Sequence, residues 1–228
     1  MFGKQLTYKA RSCILVPILG NALTRRNFGG RSERVAHAMS KLAKSLDKAG
    51  IDYCVMGGNA LHAHGYERAT IDVDVLLTKE GLSKFVETHV GRGYSPRFKG
   101  AKTKFRNTAD NVPIDILLAG SYPGESQTEV PFPEPKEIAY EESFFGSGDQ
   151  IIKMVDLKNL INLKLVSYKD LPRERIQDYA DVRMLIQNNP LDDAEEFAEF
   201  LHPSVREIFL EAVEDVEKIQ QKEFEDRL

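Results

Sequence analysis

The chain has 228 residues, a 42% hydrophobic share and a formal net charge of −4. That is enough apolar material for one core with helical additions, and the near balance of charge excludes a whole-molecule basic field that gathers nucleic acid, though not a local patch. Cys13 and Cys54 are too far apart in sequence for a zinc knuckle or a disulfide framework, and no apolar run approaches the roughly 20 residues of a membrane helix, so the expectation is a soluble intracellular protein.

Residues 1–32 carry Lys4, Lys9, Arg11, Arg25, Arg26 and Arg31 with no acidic residue before Glu33. An acid-free, arginine-bearing start reads either as a mitochondrial transit peptide or as a loosely docked extension of a cytoplasmic protein. From 32 to 49, Val35, Ala38, Met39, Leu42, Ala43 and Leu46 recur at three and four, which predicts a helix that Gly50 ends. A first strand is expected at 51–56, a helix opening at the Gly57-Gly58 pair over 59–64, and a second strand at 71–77. A helix at 81–90, a loop or hairpin at 92–111 and a third strand at 112–119 follow.

Pro123, Pro131, Pro133 and Pro135 then mark a linker in which no helix persists. Beyond it the pattern turns helical. Asp156 is the expected N-cap of a helix to about residue 169, Pro172 stops it, another helix runs over 173–187, and two more follow, the last over about 204–224. The sequence contains no internal repeat and no low-complexity tract.

The chemistry concentrates in the second and third strands. Side chains on a strand alternate faces, so Asp72 and Asp74 point the same way. Two carboxylates about 4 Å apart repel by about 4 kcal/mol at an effective dielectric near 20, so a fold keeps them together only around something positive. Asp115 interrupts a third apolar strand, "VPIDILLA", that could lie beside the second. Three carboxylate oxygens on one sheet face suit a hard cation such as Mg²⁺ or Mn²⁺, which takes its remaining ligands from phosphate oxygens. Gly57-Gly58 sits where a strand ends and a helix opens, a place that favours a phosphate.

The order of these motifs, "GGNALHAHGYERATIDVDVLL" and then "VPIDILL", resembles the nucleotidyltransferase superfamily that shares the DNA polymerase beta fold. The Gly-Tyr, Arg, Thr, Asp-x-Asp version is most similar to the AbiEii-type nucleotidyltransferase toxins and their relatives. The resemblance spans about residues 50–190. It implies an α/β (α+β) fold, a minimal mixed sheet flanked by helices with a helical C-terminal part. It also implies that Asp72, Asp74 and Asp115 hold metal and that Gly57, Gly58, Arg68 and Thr70 lie near the nucleotide. Arg68 and Thr70 could equally brace the loop before the strand.

The segment "DLKNLINLKLVSYKDLPRERIQDYADVRML" is similar to the family's Leu-Lys-Leu helix and its following Arg-x-Lys-Asp-x-x-Asp helix, with Gln177 where a basic residue often stands. Lys164 and Asp178 fall on the positions that such enzymes use. Lys164 also lies on the apolar stripe of its helix, seven residues after Leu157 and three after Ile161. A lysine aimed at a core needs an anion there, unless its stem merely snorkels to the surface.

Three regions follow: a basic extension over 1–32, a nucleotidyltransferase core over 33–150, and a helical region over 151–228 that completes the site. The expected reaction moves a nucleoside monophosphate from an NTP to a hydroxyl of RNA (such as a tRNA end), a protein or a small molecule. The alternative is a non-catalytic, antitoxin-like module on the same fold. A degenerate domain usually loses a metal carboxylate, and all three candidates are present here. A kinase is disfavoured because no Gly-rich Walker or kinase-loop pattern occurs. His62 and His64, two apart on a helix, point to nearly opposite sides and make no metal pair. Arg92, Arg97, Lys99, Lys102, Lys104 and Arg106, interleaved with Tyr94, Phe98 and Phe105, read either as a solvated hairpin or as a surface that tracks RNA.

Overall fold

The computed structural model describes residues 22–122, 130–143 and 150–227. The first 21 residues of the basic extension, and Pro123 of the linker, lie outside the described residues. Helix α1 (Ala22–Ala49) starts well before the amphipathic repeat does. The repeat reports burial, not backbone conformation, and the glycine pair at 29–30, at a cost of about 1 kcal/mol per residue, does not stop the helix. Its C-terminus closes on itself, with Gly50 N–H bonded to Asp47 O and Ile51 N–H to Leu46 O.

Among the described residues the strands form one sheet in the order β3-β4-β5-β2-β1-β7-β6. These strands are β1 (Tyr53–Val55), β2 (Val73–Leu77), β3 (Tyr94–Pro96), β4 (Lys104–Asn107), β5 (Val112–Leu118), β6 (Ala139–Ser143) and β7 (Ile151–Val155). β2 runs parallel to β5 and antiparallel to β1, so the sheet is mixed. Residues 92–111 form the hairpin β3-β4, which pairs onto β5. Two strands escaped the sequence reading. β6 and β7 lie in and just after the expected linker, and β7 is a parallel neighbour of β1, about a hundred residues away in sequence. The helical part therefore begins after β7.

The period-two pattern of β2 divides the core between the two faces of the sheet. Val73, Val75 and Leu77 join Ile114, Ile116 and Phe85 against α1 and the helix α3 (Lys79–His89). Leu76 and Cys54 join the cluster built on α5 (Leu157–Asp170), α6 (Ile176–Asn188) and α8 (Arg206–Glu225). Asp74 lies between Val73 and Val75, so it faces the second side, where the C-terminal helices stand. Asp156 caps α5 as expected, accepting from Asn159 N–H at 2.9 Å. The short helices α2 (Gly57–Ala63), α4 (Pro135–Ile138) and α7 (Ala194–Glu199) complete the set, with one 3₁₀ turn, Pro203–Val205, before α8. Among the described residues no helix is long and apolar enough to cross a membrane.

Candidate active site

In the register of the sheet, Asp74 stands directly opposite Asp115, and Asp115 directly opposite Lys104. Directly opposed residues share a face, so three adjacent strands present two carboxylates and an amine side by side. Asp72 precedes β2 by one residue. It is held by Asn59, whose amide donates to its carbonyl at 3.0 Å, and by Thr70, whose hydroxyl donates to its Oδ1 at 3.0 Å. One oxygen each from Asp72, Asp74 and Asp115 falls within 4.8 Å of the others.

The glycine pair is tied to this cluster by contact. Gly57 has φ +62, and a Cβ there would stand 2.0 Å from Asp74 Oδ2. Only glycine admits both the left-handed backbone and that approach. A Cβ on Gly58 would meet the Thr70 side chain at 2.9 Å and the Arg68 guanidinium at 3.7 Å. The turn that opens α2 is thus packed between the carboxylates on one side and Arg68 and Thr70 on the other.

Asp74 is the strained member of the three aspartates. Burial, then repulsion from Asp72 and Asp115, pushes the Asp74 carboxyl from 3.8 up to about 6, against the opposing pull of Lys104 and Lys164. A closely spaced set of hard oxygen donors, one of which ionises reluctantly, fits a divalent cation with oxygen preference. Asp115 has counter-ions of its own: Lys104 Nζ donates to its Oδ2, and Arg97 Nη1 lies 3.3 Å from its Oδ1.

A second polar group sits on the helical side. Lys164 is 8% exposed, and its amine donates to Asp178 Oδ1 at 2.8 Å and to Asp181 Oδ2 at 2.7 Å. Asp181 is fully buried, and it also accepts from Arg68 at 2.7 Å and from Gln177 at 3.0 Å. Arg175 Nε lies 2.8 Å from Asp178 Oδ2. The lysine on the apolar stripe is therefore a buried, paired lysine and not a snorkelling one. Its charge is felt at Asp74, which links the two groups.

The expected residues are thus gathered: Asp72, Asp74, Asp115, Gly57, Gly58, Arg68 and Thr70 around the turn, Lys164 and Asp178 behind it. Sequence reasoning did not single out Asp181, the last aspartate of the Asp-x-x-Asp pattern, which ties Arg68 to Lys164. The signal was there, since Asp181 lies three residues after Asp178 and interrupts the apolar stripe of Val182 and Leu185. It also missed that Arg97 and Lys104 turn inward to Asp115. Of the aromatics in the 92–106 stretch, Tyr94 and Phe105 are core residues and Phe98 is 62% exposed, so the interleaving owes as much to strand alternation as to any surface. His64 is spent on the Val155 carbonyl at 2.8 Å, while His62 is exposed.

Comparison with known proteins bears on the family and the fold. The family model "Nucleotidyl transferase AbiEii toxin, Type IV TA system" matches residues 42–228. Among solved structures, an antigenic nucleotidyltransferase-like protein from Paracoccidioides brasiliensis is similar over 68% of this chain and 77% of its own, with 20% identity and a TM-score of 0.50. That likeness shows the fold. Complexed ANT(2")-Ia with adenylyl-2"-tobramycin is a weaker likeness, at 14% identity and a TM-score of 0.47 over 79% of this chain and 98% of the other. No curated protein matches the chain.

Proposed function

The chain belongs to the AbiEii nucleotidyltransferase family, and from that premise we propose that it moves a nucleoside monophosphate from an NTP to a hydroxyl acceptor, with Mg²⁺ or Mn²⁺ held by Asp72, Asp74 and Asp115. The observation that carries the reading is the convergence of these three carboxylates within 4.8 Å beside the Gly57-Gly58 turn. The sheet supplies the carboxylates, and the helical region that follows β7 completes the site with Lys164. When bound, the metal neutralises charge on the transferring phosphoryl group and makes the attacking oxygen more acidic.

The remaining work falls to the chain's own residues. The glycine turn, which opens α2, seats the phosphates against main-chain N–H groups. Arg68, fixed by Asp181, adds a guanidinium beside Gly58, and charge placed in advance where it develops in the reaction is worth several kcal/mol. Thr70 keeps Asp72 in one orientation through its hydroxyl. Lys164 and its partners Asp178 and Asp181 form a rigid, nearly dry wall behind Asp74. One carboxylate takes the proton of the acceptor hydroxyl as it attacks, and pyrophosphate leaves in line.

The acceptor is RNA, a protein hydroxyl or a small molecule. Incubation with each labelled NTP and Mg²⁺ or Mn²⁺, with and without total cellular RNA, tests the proposal. Label transfer that vanishes in Asp72→Asn and Asp74→Asn is expected. Transfer at wild-type rate by either variant would overturn the metal assignment.

A further inference from the structure

Both oxygens of Asp115 already carry a cation from the chain itself. Lys104, across the β4-β5 ladder, takes Oδ2, and Arg97 takes Oδ1. The two donors belong to one hairpin and are locked to each other's backbone, with Arg97 N–H bonded to Lys104 O at 2.9 Å. Asp72 and Asp74 differ in this respect. Asp72 Oδ1 accepts a neutral hydroxyl, and Asp74 lies against a glycine. The internal cations are thus concentrated on one carboxylate of the three, the one on the strand next to the hairpin.

A divalent metal that uses Asp115 as a ligand meets an ammonium and a guanidinium already seated on its two oxygens, and like charge a few ångströms apart opposes its entry. We propose that Lys104, with Arg97 in support, is a positioning residue that keeps Asp115 closed to free metal, and that the Asp115 seat opens only when the Lys104 ammonium is displaced. Lys104 is suited to this. Its side chain is 44% exposed, so it has room to swing away, and an ammonium on a flexible stem gives up one oxygen more readily than a guanidinium fork does. The phosphates of an incoming nucleotide offer the released ammonium a replacement anion, so metal that arrives with a nucleotide is favoured over metal alone. This rests on the metal reading of Asp72, Asp74 and Asp115.

The test is titration of the nucleotide-free protein with Mn²⁺, with free Mn²⁺ read by electron paramagnetic resonance. Lys104→Met should bind about tenfold tighter than wild type, equivalent to 1.4 kcal/mol. Lys104→Arg, which keeps a donor on Asp115, should stay near wild type. Lys102→Met removes a charge from the same hairpin without touching Asp115 and should also stay near wild type. In an Asp115→Asn background, Lys104→Met should have no further effect, because the oxygen it guards no longer ligates metal.

Equal affinity of Lys104→Met and wild type would overturn the proposal. So would an equal gain in Lys102→Met, or a gain that persists beside Asp115→Asn, since either would show a diffuse field and not a guarded ligand. Should Lys104→Met unfold, Lys104→Leu, which also lacks a donor, carries the same expectation. Failure of the underlying metal reading is separate and visible in the same assay: Mn²⁺ binding that survives Asp72→Asn and Asp74→Asn places the metal elsewhere.

Discussion

Replacing Asp74 by asparagine should stabilise the metal-free protein and abolish its activity. Burial and the neighbouring Asp72 and Asp115 raise the Asp74 carboxyl from 3.8 to about 6. The folded chain therefore holds this proton to higher pH than the unfolded chain does. Below about pH 3.8 the side chain is neutral in both states. As pH rises through about 6 it ionises in the folded state against repulsion, and stability is lost. The difference amounts to about 3 kcal/mol, from 1.36 kcal/mol per pKa unit. Partial solvent contact at the site screens the repulsion, so this is an upper bound. An asparagine carries no such charge. The variant should melt higher than wild type at pH 8, by about 2–4 °C per kcal/mol for a chain of this size, and the gap should close toward pH 4. Added Mg²⁺ should close most of the gap. At a hundredfold excess over its dissociation constant it adds about 2.7 kcal/mol to wild type, and it should add little to the variant. Thermal unfolding of both proteins in EDTA and in Mg²⁺, from pH 4 to 8, measures all of this. A variant that melts lower than wild type at pH 8 in EDTA would refute the reasoning, because Asp74 would then be a structural partner and not a strained ligand.

Lys164→Ala should cut turnover by at least about a hundredfold, and Lys164→Arg should restore little, because a planar fork does not replace a compact ammonium between Asp178 and Asp181; steady-state kinetics decide it, with near-normal turnover in Lys164→Ala as the contrary result. As a control on the same helix, exposed Lys169 should tolerate alanine. Gly57→Ala should lower activity by about a hundredfold or more through displacement of Asp74, while unfolding by denaturant shows a loss of about 1–2 kcal/mol from the left-handed backbone alone; an unchanged rate would detach the turn from the site. Asp181→Ala should destabilise the fold by about 3–5 kcal/mol, since Lys164 and Arg68 lose a buried partner, and a denaturation midpoint equal to wild type would show that water replaces it at no cost. If the hairpin meets an RNA acceptor, Lys99→Ala with Lys102→Ala should weaken RNA binding and flatten its salt dependence, whereas unchanged affinity moves the acceptor toward proteins or small molecules.

Asp72, Asp74 and Asp115 were legible as a group because their signals are local. A strand alternates faces whatever it packs against, so an acidic residue two positions from another shares its side, and an acid inside "VPIDILL" is conspicuous without any tertiary knowledge. The Gly57-Gly58 turn was legible for the same reason, since a chain that must pass from strand to helix within two residues shows it in glycine. Lys164 was legible as a conflict, a charge on an apolar stripe. Its resolution was not, because the partners Asp178 and Asp181 lie on the next helix, and the distance between two helices is set by how their apolar faces pack and not by either sequence alone. The same holds for Arg68 and Asp181, which are 113 residues apart. β7 was missed because a five-residue run, four of them apolar, after a proline-rich stretch has no period long enough to tell a buried strand from the start of a helix, and only its parallel pairing with β1 makes it one. Asp115 and Lys104 show the division most clearly. Each residue announces its own charge, but which cation meets which carboxylate is a matter of strand register, and register is decided by the whole sheet as it buries Phe105 and Ile114 on the opposite face.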